Sequence, residues 1–155
     1  MDGMNLENDH YVPRILKAVE FMEHGLTRDI TLREISREAC FSPFHFNRVF
    51  LALTGVPPGT YLRTRRLTEA AVQILSSSRK IIDIASEYQF GSNEAFSRSF
   101  KNRFGLCPKD FRNGKAAGGD VWSKFFHNKE ILFNGALTLE PSLHEISDKS
   151  VIMGH

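Results

Sequence analysis

The stretch Thr31-Leu32-Arg33-Glu34-Ile35-Ser36-Arg37-Glu38-Ala39-Cys40-Phe41 lies without a gap over Lys80-Ile81-Ile82-Asp83-Ile84-Ala85-Ser86-Glu87-Tyr88-Gln89-Phe90. One extra residue then enters the second copy. After it, Phe46-Asn47-Arg48-Val49-Phe50 lies over Phe96-Ser97-Arg98-Ser99-Phe100, and Gly55-Val56-Pro57-Pro58 over Gly105-Leu106-Cys107-Pro108. Eight paired positions are identical: Ile35/Ile84, Glu38/Glu87, Phe41/Phe90, Phe46/Phe96, Arg48/Arg98, Phe50/Phe100, Gly55/Gly105 and Pro58/Pro108. Any two amphipathic helix pairs share apolar spacing, but they do not share an Arg on the polar face and a Gly-x-x-Pro ending. The chain therefore contains one unit twice, and the repeat governs every local reading.

Each copy reads as helix, tight turn, helix. In the first, Thr31 and Glu34 have the spacing of a capping box, in which hydroxyl and carboxylate satisfy free backbone N–H groups reciprocally. That helix must end before Ser42-Pro43, where Ser suits the N-cap and Pro the first helical position. The next helix runs to about Thr54 and closes on Gly55. In the second copy Ser92 takes the N-cap after Phe90-Gly91, and Gly105 closes the helix. A short helix, a turn and a second helix with a polar outer face is the helix-turn-helix unit.

At about 100° per residue, Val49, Phe50 and Leu53 lie within about 60° of Phe46, while Phe44, Asn47, Arg48 and Leu51 turn toward the other side. In the second copy Phe96 and Phe100 mark the buried side, and Glu94, Ser97, Arg98 and Lys101 occupy the matching outer face. Each unit thus presents an outward Arg at the same place. Such an Arg can reach guanine O6 and N7 bidentately in a major groove, Asn47 can pair with adenine, and Phe44 can touch a thymine methyl. The alternative is that these are ordinary solvated residues, and the coincidence of the two faces favours DNA.

The flanking segments fit one all-α domain. Val12, Ile15, Leu16, Val19 and Met22 form a helical stripe that predicts a first helix over 10–25. Residues 57–76 read as a longer helix, with Leu62, Leu67, Ala71, Ile74 and Leu75 inward and Arg63, Arg65 and Arg66 near its start. At least one Arg of that trio is expected to pair internally. A helix of 20 residues spans about 30 Å, close to the ~34 Å between successive major-groove faces of B-DNA. If the reading helices stand closer than one turn, either the DNA bends or one of them binds weakly.

Charge and composition narrow the class further. The 155 residues carry 41% hydrophobic and 25% charged side chains, an ordinary globular balance. Residues 10–114 hold 16 Lys and Arg against 10 Asp and Glu, giving +6, between flanks of −3 (1–9) and −1 (115–155). A basic middle between acidic ends suits a polyanion-binding domain. No apolar run reaches the roughly 18 residues of a membrane span, and Met1-Asp2-Gly3 opens no signal peptide, so a cytoplasmic chain is expected. Cys40 and Cys107 lie far apart, without a Cys or His at metal spacing, and read as small reduced hydrophobes. His10, His24, His45, His127, His144 and His155 show no carboxylate or Cys at catalytic or ligand spacing. The chain is read as neither an enzyme nor a metal or cofactor protein.

The stretch from about His10 to Asn113 resembles the DNA-binding domain of the AraC/XylS transcription regulators, and in size their MarA/SoxS/Rob branch. The motifs that carry the resemblance are Leu32-x-x-Ile35-Ser36, Phe41-Ser42-Pro43, Phe46-x-Arg48-x-Phe50 and Thr54-Gly55-x-x-Pro58-x-x-Tyr61-Leu62-x-x-Arg65-Arg66-Leu67. They continue with Ile81-x-x-Ile84-Ala85-x-x-x-x-Phe90, Phe96-Ser97-Arg98-x-Phe100-Lys101 and Gly105-x-x-Pro108-x-x-Phe111-Arg112. The resemblance implies seven helices, with unit 1 over about 10–55, a linker helix over 57–76 and unit 2 over about 80–113. It also implies promoter DNA bound by both reading helices, through Phe44, Asn47 and Arg48 in the first unit and Asn93, Glu94, Ser97 and Arg98 in the second. His45, beside the first reading face, and Lys101, on the second outer face, complete the DNA-binding set. Glu94 departs from the pattern: a carboxylate there either accepts from a cytosine amine or is repelled by phosphate. Cys107 stands where the first unit has Pro57.

Residues 1–9 are read as an N-terminal tail. Asn113 to Asp120 reads as a linker. Beyond it, Glu140-Pro141-Ser142-Leu143-x-Glu145-Ile146 and Val151-Ile152-Met153-Gly154-His155 resemble the opening strands of a GyrI-like effector-binding domain; a tail without fixed structure is the alternative. A small-molecule effector would then require the complete domain of a longer form. The function expected is a sequence-specific transcription regulator, an activator, whose partners are double-stranded promoter DNA and RNA polymerase, with no membrane. The competing reading is a protein-interaction module of the same fold that reads no DNA.

Overall fold

The computed structural model describes residues 10–114; the expectations for 1–9 and for 115–155, including the GyrI-like strands, fall outside them. The described residues form seven helices: α1 (Tyr11–His24), α2 (Leu32–Glu38), α3 (Pro43–Thr54), α4 (Pro58–Ser76), α5 (Ile81–Glu87), α6 (Asn93–Phe104) and α7 (Pro108–Arg112). The all-α class and the seven helices agree with the sequence reading. None of these helices is long and apolar enough to cross a membrane.

Local signals set most helix ends. Thr31 and Glu34 form the expected capping box, with Glu34 accepting from the Thr31 N–H at 2.7 Å and Thr31 Oγ1 accepting from the Glu34 N–H at 3.2 Å. The hydrogen bonds from Thr31 hold the Glu34 carboxyl below its ordinary pKa. Ser42 and Ser92 cap α3 and α6 at the backbone N–H groups of His45 and Ala95. Gly55 and Gly105 close the same helices at φ 81° and 83°, a region that costs glycine nothing.

The turn inside each unit carries a feature the sequence did not announce. Phe41 N–H donates to the Ser36 carbonyl and Cys40 N–H to Arg37, each at 3.0 Å, and Phe90 N–H donates to Ala85 and Gln89 N–H to Ser86 at 3.0 and 3.1 Å. These paired bonds are the Schellman arrangement, which satisfies the last carbonyls of α2 and α5 by turning one residue left-handed. Those residues are Cys40 (φ 58°) and Gln89 (φ 68°), not glycines. Cys40 is free and exposed in this turn, and Cys107 is free and half-buried. Phe41 and Phe90 follow the left-handed residue and pack against the core.

The repeat also dictates the packing. Phe46 and Phe50 lie 5.5 Å apart between ring centroids, and their counterparts Phe96 and Phe100 lie 5.6 Å apart, all four fully buried. Ile15, Val19, Met22, Ile35 and Ile84 are buried in the same core, and Phe104 and Phe111 pack their rings 4.6 and 5.2 Å from that of Phe100. Leu53 and Leu75, expected inside, pack only partly buried at the edge of this core. α1 packs on α2 and α3, while α4 packs on α5 and α7, so the linker helix also serves as a wall of the second unit.

All three arginines of the linker helix are held by protein groups. Arg65, 2% exposed, donates to Glu23 of α1 through Nε at 2.8 Å and Nη2 at 2.7 Å, and to Glu69 at 2.8 Å. Burial pulls the Arg65 pKa down, but the hydrogen bonds and charge of Glu23 and the charge of Glu69 together carry it above the ordinary value, so it stays cationic. Arg66 donates to the Leu26 and Arg28 carbonyls, and Arg63 to Ser99 Oγ at 2.6 Å. α1, α4 and α6 are thereby tied to one another by directional bonds as well as apolar contact.

Candidate nucleic-acid interface

The outer face of α3 is polar and open. Phe44 is 74% exposed, a position no packing argument explains, and His45, Asn47 and Arg48 beside it are exposed too. The Arg48 guanidinium lies 5.9 Å from the centre of the Phe44 ring, so cation and aromatic form one continuous surface. His45 is oriented from behind: its ring stacks on Phe41 at 4.8 Å with an interplanar angle of 7°, and Tyr11 is 6.1 Å away. On the other side of Phe41, the Arg14 guanidinium sits 3.6 Å from the ring centre, and Arg14 Nε donates to the Ala39 carbonyl at 2.6 Å while Nη2 donates to that of Cys40. Tyr11 and Arg14 of α1 thus brace the turn that aims α3. The sequence reading did not single them out, because nothing in their spacing relates them to Phe41.

The outer face of α6 has the same placement with different chemistry. Asn93, Glu94, Arg98 and Lys101 are exposed, while Ser97 is half-buried and so less outward than expected. Glu94 stands at the repeat position of Phe44, Ser97 at that of Asn47, and Lys101 at that of Leu51. Glu94 thus offers a charged hydrogen-bond acceptor where Phe44 offers an apolar ring, so the two faces differ in chemistry at this position. Arg98 also borders an open groove of about 430 Å³ between α4 and α6, together with Arg63 and Arg103 over Leu67 and Ala95. Such a concave basic rim beside a reading helix suits a backbone phosphate. Burial lowers the Arg103 pKa from its ordinary value. No group of three or more His, Cys, Asp or Glu that could hold a metal occurs among the described residues.

Two reading helices, each preceded by the same capped turn and mounted on one linker helix, define a double helix-turn-helix protein. A family described as a helix-turn-helix domain matches residues 35–114. The chain is 38% identical over 103 residues to the uncharacterized HTH-type transcriptional regulator YbfP of Bacillus subtilis, a match covering 66% of this chain and 35% of YbfP. It is 35% identical over 107 residues to the HTH-type transcriptional activator AarP of Providencia stuartii, covering 69% of this chain and 79% of AarP. Among solved structures, a transcriptional regulator with an AraC-type DNA-binding domain from Chromobacterium violaceum superposes with a TM-score of 0.64 at 26% identity, covering 69% of this chain and 96% of that one. The chain belongs to the AraC-type helix-turn-helix family of DNA-binding transcription regulators. It spans about a third of YbfP and about four fifths of AarP.

Proposed function

We propose that this chain binds promoter DNA in a sequence-specific way, laying α3 and α6 into adjacent major-groove segments, and that it acts there as a cytoplasmic activator touching RNA polymerase. The observation that carries the reading is the placement of Arg48 and Arg98. They are repeat-equivalent, both exposed, and presented by helices whose turns share the same hydrogen bonds. Phe44, Asn47 and Arg48 read bases in the first segment, and Asn93, Glu94, Ser97 and Arg98 in the second, with His45 and Lys101 at the phosphate edge. The name of AarP, a transcriptional activator, supports the direction of regulation.

In vitro selection from random duplexes tests this. The expected product is an enriched sequence with two unlike half-sites about one helical turn apart. Failure to enrich any sequence, by a protein shown to be folded, would contradict the reading and point to a protein partner for the same helices.

A further inference from the structure

Three consecutive carbonyls in the loop between α1 and α2 accept side-chain hydrogen bonds from outside the first unit. Arg66 of α4 holds the outer two, Leu26 at 2.9 Å and Arg28 at 2.6 Å. The middle one, Thr27, accepts from Gln89 Nε2 at 2.9 Å. Gln89 lies 62 residues further along, in the turn between α5 and α6, so this bond joins the two reading units directly and bypasses the linker helix.

Gln89 is an odd residue for its place in the turn. Its φ of 68° is the left-handed conformation that glycine adopts without strain. A glycine would build the turn more easily and could not reach Thr27. Because the acceptor is a carbonyl, the side chain must offer an N–H, which an amide does and a carboxylate does not.

We propose that Gln89 is a positioning residue for two-site reading: its bond to Thr27 fixes the angle between α3 and α6, and so the spacing of the half-sites the chain accepts. This rests on the reading of the chain as a two-unit DNA reader. Arg65 and Arg63 hold α1 and α6 against the linker helix, and what remains is twist of one unit against the other about the axis of that helix. A bond placed away from that axis has leverage against the rotation. Each base pair inserted between half-sites moves the second by about 3.4 Å and turns it by about 35°. A protein locked across its units rejects the shifted site, and an unlocked one follows it. One neutral hydrogen bond corresponds to about twofold to tenfold in an equilibrium, which is the scale of the expected effect.

The test uses the selected duplex, a version with one base pair inserted between the half-sites, one with a base pair removed, and duplexes keeping a single half-site. Binding of the full chain is compared with that of Gln89→Gly, which removes the bond together with the strain, and of Gln89→Asn, which tolerates the left-handed turn but is one methylene too short. The expected result is single-half-site affinity unchanged from wild type, with the penalty for altered spacing reduced by about twofold to tenfold in both variants. An unchanged spacing penalty overturns the proposal. So does an equal loss on single half-sites, since Gln89 would then act within its own unit or on the DNA. A wild type that binds one-site and two-site duplexes alike overturns the two-unit reading on which the proposal rests.

Discussion

Arg48 and Arg98 hold one repeat position and meet different neighbours. Arg48 stands beside the exposed ring of Phe44, whereas Arg98 faces the arginine-lined groove on a helix that also bears the exposed carboxylate of Glu94. Arg48→Ala is therefore expected to cost about 1–3 kcal/mol on the selected duplex, the range for a bidentate guanine contact. Arg98→Ala should cost less, and anisotropy titrations showing the reverse order would contradict this ranking of the units. Stability makes a second claim at this scale. The left-handed Cys40 carries strain that glycine would not, partly offset by the greater chain entropy glycine loses on folding. Cys40→Gly should stabilise the chain by about 0.5–1 kcal/mol in urea melts, and a lower midpoint would show that the thiol has a structural role. The outward residues were legible because helical angle alone separates Phe44 and Arg48 from Phe46 and Phe50. The left-handed turns were not, because glycine is the usual sequence signal at that position and Cys40 and Gln89 stand there instead.

At the scale of elements, caps and helix ends were legible, since the Thr31–Glu34 box, Ser42-Pro43, Ser92 and the two closing glycines act within a few residues. The pairing of Arg65 was foreseen only as one of three choices, because its partner Glu23 lies 42 residues away on α1. That pair is nearly fully buried, with side-chain exposures of 3% and 12%. Glu23→Ala should destabilise the chain by about 3 kcal/mol, because it strips a buried guanidinium of its bidentate partner while Glu69 supplies only part of the compensation. A change under about 1 kcal/mol in the same melts would mean that water or Glu69 replaces Glu23 fully. The tyrosines packed here give a pH signature. Burial, aided by the charges of Glu69 and Glu87, pushes the Tyr88 phenol up to about 12, and burial raises Tyr61 as well. The folded state favours the neutral phenols, so the Tyr88 contribution is complete below the ordinary value near 10 and is lost as pH rises from there toward 12, with Tyr61 acting in the same direction. The urea midpoint should fall over that window, less steeply in Tyr88→Phe. Identical slopes for the two proteins would contradict the assignment.

For the whole molecule, the internal repeat was enough to give two helix-turn-helix units with a linker between them, and the charge count a basic middle. What pairwise alignment could not show is how the units lean on each other. Gln89 to Thr27, Arg66 to the same loop and Arg63 to Ser99 are contacts between residues far apart in sequence, and no periodicity encodes them. Those contacts tie the α1–α2 loop, the linker helix, the α5–α6 turn and α6 together within residues 10–114, which carry a net charge of +6. The α4 rod of 19 residues is about 28 Å long, of the same order as the ~34 Å turn of B-DNA. The most direct test of the central claim is fluorescence anisotropy of the full chain on the selected ~20-base-pair duplex and a scrambled one, titrated against salt. Two-unit reading predicts preference for the selected duplex and a log–log salt slope near −5, corresponding to about five or six neutralised phosphates. Equal affinity for both duplexes, or a slope near −2 from a single docked unit, would contradict it.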